Sequence, residues 1–311
     1  MSTNACNREE ETPGSPKIFM DDTPVESLLN YLDAPEALST PVSIFLRGKQ
    51  RLKGLSETDG AEAFLHCIRT IYEERIPLSN RQCHALAAML KSYIPFEPRP
   101  IIEYDREEIT GCLEYLWETS VKREKGDLMI QCGFGYSRWE EHHLRFDHSR
   151  EILMTLLNVR CKKTADEATF NNNIGFAWFL EGQFDAAVPW FQKAVTLHEK
   201  AGKHEEADNS RLNAISSIFE SAGIDAISDN LVRGLVALGQ ALREKGDWRC
   251  RKAFHLLART FEARGCLRTA QLYAREAAWA SGKVRTLYAR EDEEYLRRLQ
   301  EEVNVDFDEK K

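Results

Sequence analysis

The stretch Asn171-Asn172-Asn173-Ile174-Gly175-Phe176-Ala177-Trp178, followed by Gly182-Gln183-Phe184-Asp185-Ala186-Ala187 and Phe191-Gln192-Lys193-Ala194, decides the fold class. Its small and apolar residues recur three and four apart on both sides of Gly182, the pattern of two amphipathic helices joined by a turn. Glycine stands in that turn where a positive φ is usually wanted. Gly175, Ala187 and Ala194 let two antiparallel helices approach closely, and the aromatics fill the gaps that remain.

The unit recurs. Gly182, Gly223 and Gly265 are 41 and 42 residues apart, each preceded by the same pattern. The second copy matches at Leu212, Ile215, Phe219 and Gly223 but has Ser228 where an alanine is expected and Val232 where an aromatic is. The third recovers the pattern with Phe254, Leu257, Ala258, Phe261, Gly265, Leu267, Ala270 and Ala277. A single helix pair cannot bury its apolar face, whereas stacked pairs can, so residues 167–283 are expected to form three repeats of an all-α solenoid. The segment 284–303 supplies a capping helix, with Leu287, Tyr295, Leu296 and Leu299 inward and Arg290, Glu293, Glu294, Arg297 and Arg298 in water; an acidic tail, 304–311, follows.

Counted from Ala168, the first copy resembles a tetratricopeptide repeat, with Ile174, Gly175 and Trp178 in its first helix and Ala187, Phe191 and Ala194 in its second. The period exceeds the usual one of about 34 residues. The excess falls where the second helix runs on through Leu197-His198-Glu199-Lys200-Ala201-Gly202 into Lys203-His204-Glu205-Glu206-Ala207. This long form is similar to the repeats of kinesin light chains and related peptide-binding adaptors. The resemblance implies a concave groove lined by the first helices, each carrying an asparagine; Asn172 and Asn213 align with that position, and His255 departs from it. A primary amide both donates and accepts, so such a ladder can bond the backbone of an extended peptide. The alternative is that Asn171, Asn172 and Asn213 cap or solvate helix ends. The other implied groove positions are Phe176 and Phe179, Ser217 and Glu220, and Arg259 and Glu262, a change from aromatic to charged. Phe176, Ala214 and Leu256 occupy several positions of the carboxylate clamp that some members use on chaperone tails, so that specificity is not expected.

Composition agrees with a soluble intracellular chain: 42% hydrophobic and 30% charged residues with a net charge of -8. No apolar run approaches the roughly 18 residues that span a bilayer, and Met1 to Asp22 is polar and acidic without a hydrophobic signal core. A cytoplasmic location is expected, with residues 1–18 as a disordered tail. The cysteines at 6, 67, 83, 112, 132, 161, 250 and 266 are scattered singly, without a Cys-x-x-Cys pair, and read as small core residues rather than zinc ligands.

Residues 19–100 read as a helical region, with helices at Thr23–Tyr31, Thr58–Arg75 and Ser79–Ser92, the last capped by Ser79. Three prolines in Ile94-Pro95-Phe96-Glu97-Pro98-Arg99-Pro100 mark a rigid seam. Region 101–166 opens on a capping-box-like start at Asp105 and Glu108 and carries the stripe Ile109, Cys112, Leu113, Leu116, Trp117. Glu151 to Val159 has a second-helix pattern, so a degenerate repeat is expected here.

That region also holds Cys132-Gly133-Phe134-Gly135-Tyr136, Glu140-Glu141-His142-His143 and Asp147-His148. The ligand types suit a metal, but the spacing lacks the turn that puts two histidines on one helix face. Gly133-x-Gly135 lacks the third glycine of a dinucleotide fingerprint. Neither His66-Cys67 nor Cys83-His84 makes a dyad, because adjacent helical residues point about 100° apart. The basic residues Arg243, Lys245, Arg249, Arg251, Lys252, Arg264 and Arg268 are interleaved with Glu244 and Asp247 in an acidic chain, so a solvated face is preferred to nucleic-acid binding.

The sequence is therefore read as a non-enzymatic adaptor, scaffold or regulatory subunit that holds a peptide or a larger protein in the repeat groove, with no cofactor, metal or membrane partner. The alternative is an enzyme using Cys132, His142, His143 or His148, its repeats selecting substrate.

Overall fold

The structure is a computed structural model and describes residues 24–33, 57–91, 94, 107–159, 162–223, 227–284 and 288–309. Among the described residues every regular element is a helix, in keeping with the all-α expectation. The chain divides into two compact units, 1–161 and 162–311. The seam thus lies a few residues before the first repeat as read from sequence.

Unit one contains α1 (Pro24–Leu32), α2 (Glu57–Glu73), α3 (Asn80–Lys91), α4 (Glu107–Lys122), α5 (Gly126–His142) and α6 (Phe146–Leu157). Helix α2 packs on α4, α3 on both α4 and α5, and α5 on α6. Leu28, Ile68, Leu86, Met89, Leu113, Leu116 and Trp139 share one buried cluster. Ser79 caps α3 as expected: its Oγ accepts the Gln82 N–H at 3.1 Å and Gln82 Oε1 accepts the Ser79 N–H at 2.8 Å, a reciprocal capping box. The proline seam after Ile94 and the start at Asp105 lie outside the described residues, as do the expected tail at 1–18 and residues Cys6 and Cys161.

Unit two contains α7 (Thr164–Leu180), α8 (Phe184–Lys200), α9 (His204–Ala222), α10 (Asp229–Glu244), α11 (Cys250–Ala263), α12 (Leu267–Val284) and α13 (Tyr288–Glu309). Helices α7 and α8, α8 and α9, and α11 and α12 pack closely, and α13 lies on α12. The small residues explain the closeness. A Cβ on Gly175 would sit 3.0 Å from the Phe191 ring, and Ala258, Ala270 and Ala274 are fully buried around Leu299. Helix α13 runs to Glu309, past the expected cap and into the expected tail.

The segment read from sequence as a degenerate second repeat packs differently from the other helix pairs. Helices α9 and α10 meet through Leu212, Ile215, Phe219, Val232 and Leu235 rather than by close backbone approach; α10 packs mainly on α11. Ser228, in place of the small alanine, caps α10, its Oγ accepting the Leu231 N–H at 3.3 Å.

One turn is used repeatedly. Gly182 N–H donates to Phe179 O at 3.0 Å, Gln183 N–H donates to Trp178 O at 2.9 Å, and the Gly182 φ is 81°. This Schellman closure satisfies carbonyls that the helix end leaves open. It recurs at Gly202, Gly246 and Gly265, and in unit one at Arg75 and Leu144, whose φ values are 52° and 59°.

Candidate functional site

Helices α7, α9 and α11 carry the residues assigned to the groove, and side chains link each helix to the next. Asn172 Oδ1 on α7 accepts from Asn213 Nδ2 and from Ser210 Oγ on α9, both at 3.0 Å. Asn213 Oδ1 accepts from Lys252 Nζ on α11. Glu220 on α9 pairs with Arg259 on α11, and the Arg259 guanidinium lies 4.4 Å over the Phe219 ring. Glu262 on α11 accepts from Tyr295 Oη at 2.7 Å and pairs with Arg298 at 2.7 Å, both on α13. His255 Nδ1 meets Asp292 Oδ1 at 3.2 Å.

The structure therefore brings together the residues expected along this line, in a different arrangement from a free amide ladder. Asn172 and Asn213 bond each other, and the Asn213 amide is engaged at both ends while its residue is only 5% exposed. Ser217 is fully buried, its Oγ donating to Asn213 O at 3.1 Å, and offers no surface. Asn171 is buried and donates to Glu167 O at 2.7 Å. Surface remains on Phe176 and Phe179, whose rings stack 6.2 Å apart, on Lys252, and on His255, Arg259 and Glu262.

Lys252 is the residue of this face that the sequence reading placed with the basic run. It lies three residues before His255, one helical turn earlier on the same side. Its Nζ hydrogen-bonds Asn213 and lies 5.9 Å over the Phe179 ring; burial and the Arg251 charge bring its ammonium down to about 8. Four other cations of the run have acidic partners. Arg243 pairs with Glu276, Arg249 with Asp247 and Glu205, Arg251 with Asp292, and Arg264 with Asp229. Asp292 was not singled out in the sequence, because one acid among the many of 291–302 gives no periodic signal.

The residues of the enzyme alternative lie on α5, in the turn that follows it and on α6. Glu140, 1% exposed, accepts two bonds from Arg145 at 2.6 Å and meets His148 Nδ1 at 2.8 Å. Glu141 accepts from Ser149 Oγ at 3.0 Å and is pushed up to about 7 by burial, against the opposing pull of Arg138. His143 packs on Trp139 with ring centroids 4.4 Å apart. Cys132 is buried and burial pushes its thiol far up, the reverse of what activates a nucleophile. Gly133 is a packing residue: an added Cβ would lie 2.6 Å from Trp117. Among the described residues, no three His, Cys, Asp or Glu side chains gather as a metal-binding group, and no helix is long and apolar enough to cross a membrane.

No protein-family model matches this chain, and no curated protein does.

Proposed function

We propose that this chain is a non-enzymatic interaction scaffold of the tetratricopeptide type, which holds an extended segment of another protein along the face formed by α7, α9 and α11. The observation that supports this most is the cross-helix line Asn172–Asn213–Lys252 beside the partly exposed Phe176 and Phe179. It fixes three first helices side by side and leaves aromatic surface next to a cation. An apolar patch of this kind on a polar surround is the ordinary signature of a recognition site. In this reading the asparagines hold the helices in register, and the surface around them meets the partner.

The test is affinity purification of the full chain from its native host beside Phe176→Ser/Phe179→Ser and, as a control on another face, Trp279→Ala. The reading expects a protein recovered with the wild type and with Trp279→Ala and lost with the double variant. Equal recovery by all three would overturn it.

A further inference from the structure

We propose that Lys252 is the anion anchor of this face: it takes the side-chain carboxylate of an Asp or Glu in an extended partner segment whose bulky apolar side chain, two residues away, lies on Phe179 and Phe176. The inference rests on the peptide-binding reading above and specifies the chemistry that reading leaves open.

Three observations carry it. First, the cations around Lys252 are neutralised from within the chain: Arg249 by Asp247 and Glu205, Arg251 by the fully buried Asp292, and Arg259 by Glu220. Lys252, partly buried, hydrogen-bonds the neutral amide of Asn213, lies over the Phe179 ring and has, among the described residues, no carboxylate within ion-pair distance. A desolvated ammonium without a counter-charge costs stability, a cost that an incoming carboxylate offsets.

Second, Lys252 stands in the first turn of α11, which contains no acidic residue. The N–H groups of Cys250, Arg251 and Lys252 already donate to the Asp247, Trp248 and Arg249 carbonyls, so this helix end adds only its dipole, which favours an anion beside the Lys252 ammonium.

Third, the aromatic surface is at the right distance. Lys252 Nζ lies 5.9 Å from the Phe179 ring centroid. Side chains on one face of an extended chain are two residues and about 6.6 Å apart. A segment with an apolar residue and an acid in that spacing therefore reaches both together.

The experiment selects binders to the full-length chain from a displayed library of random peptides, then synthesises the enriched ones with amidated C-termini so that only side-chain carboxylates are read. Titration calorimetry compares each peptide with its Glu→Gln or Asp→Asn version on wild type, Lys252→Met, Lys252→Arg and Phe179→Ala. The expected result is enrichment of an acid two residues from an aromatic or aliphatic residue. Removing the acid then costs at least about tenfold in affinity on wild type, the scale of one charged hydrogen bond. The same change costs nothing on Lys252→Met and a similar factor on Lys252→Arg, and circular dichroism with thermal melting verifies that each variant is folded. Peptides that depend on Phe179 but bind equally with or without the acid would overturn the anchor and leave the groove standing. A selection without any Phe179-dependent peptide would overturn both.

Discussion

Arg251 closes a two-point ion pair on Asp292, Nε to Oδ2 at 2.6 Å and Nη2 to Oδ1 at 2.9 Å, and Asp292 has no exposed surface. The pair joins α11 to the last helix, with His255 as a third contact. Asp292→Ala leaves a largely buried guanidinium without its counter-charge, and the expected cost is about 3–5 kcal/mol. Urea denaturation gives the size, and faster amide exchange concentrated in α13 gives the place; unchanged exchange there would refute the role.

The same carboxylate makes unit two acid-sensitive. Burial alone would push the Asp292 carboxyl up, but bonds from His255 and Arg251 and the Arg251 charge bring it below its ordinary value. A depressed carboxyl contributes stability that is present above its unfolded value, about 3.9, and lost as pH falls through the folded one. Acidification below about pH 4 is therefore expected to release part of the wild-type stability that Asp292→Ala has already lost.

Glu141 has the opposite sign. Its folded value of about 7 lies above that of an ordinary carboxyl, so between roughly pH 4.3 and 7 the native chain holds a proton that the unfolded chain has released. The contribution is full below that window and declines as pH rises through it, by on the order of 3–4 kcal/mol. Glu141→Gln keeps an acceptor for Ser149 and carries no charge. It is expected to flatten the slope and to raise stability at pH 8, seen as a higher thermal midpoint there and little change at pH 5.

Turn chemistry gives a paired prediction. Leu144 holds a φ of 59° with its side chain 57% exposed, a conformation that costs an L residue about 1–2 kcal/mol. Leu144→Gly removes that strain at an entropic cost of about 0.5–1 kcal/mol, for a net gain near 0.5–1 kcal/mol. Gly182→Ala, at φ 81°, loses about 1 kcal/mol or more. Denaturant midpoints with unchanged slopes decide both.

These turns also explain why half of the chain was legible and half was not. In unit two the Schellman position is glycine at 182, 202, 246 and 265, and glycine also ends α9 at 223 with a φ of 71°, so the repeat read from 182, 223 and 265 stands out in the letters. In unit one the same closure at 75 and 144 is made by arginine and leucine, which carry no turn signal. The α5–α6 pair was therefore only suspected from the Glu151–Val159 pattern. That the residues expected in a groove would share one line across α7, α9 and α11 was legible, because helical register fixes a face. Their partners were not: that Asn213 bonds both Asn172 and Lys252 depends on how three helices approach, which spacing within one helix does not contain.

Gly133 and Gly135 separate packing from ligand binding within one short motif. Both lie inside α5, where a phosphate-cradling turn would need open loop backbone. An added Cβ at Gly133 would lie 2.6 Å from Trp117 Cζ3 and 3.2 Å from Leu156 Cδ2, whereas at Gly135 nothing lies within 4 Å. Overpacking a core position costs about 1–3 kcal/mol, and replacing an interior helical glycine with alanine returns about 0.8–1 kcal/mol. Gly133→Ala is thus expected to lower the stability of unit one, and Gly135→Ala to raise it by up to about 1 kcal/mol. A Gly133→Ala/Trp117→Leu double variant, which removes the ring that the new methyl meets, should lose less than the sum of the single changes. Strict additivity in that cycle would show that the glycine is there for another reason than the α4–α5 contact.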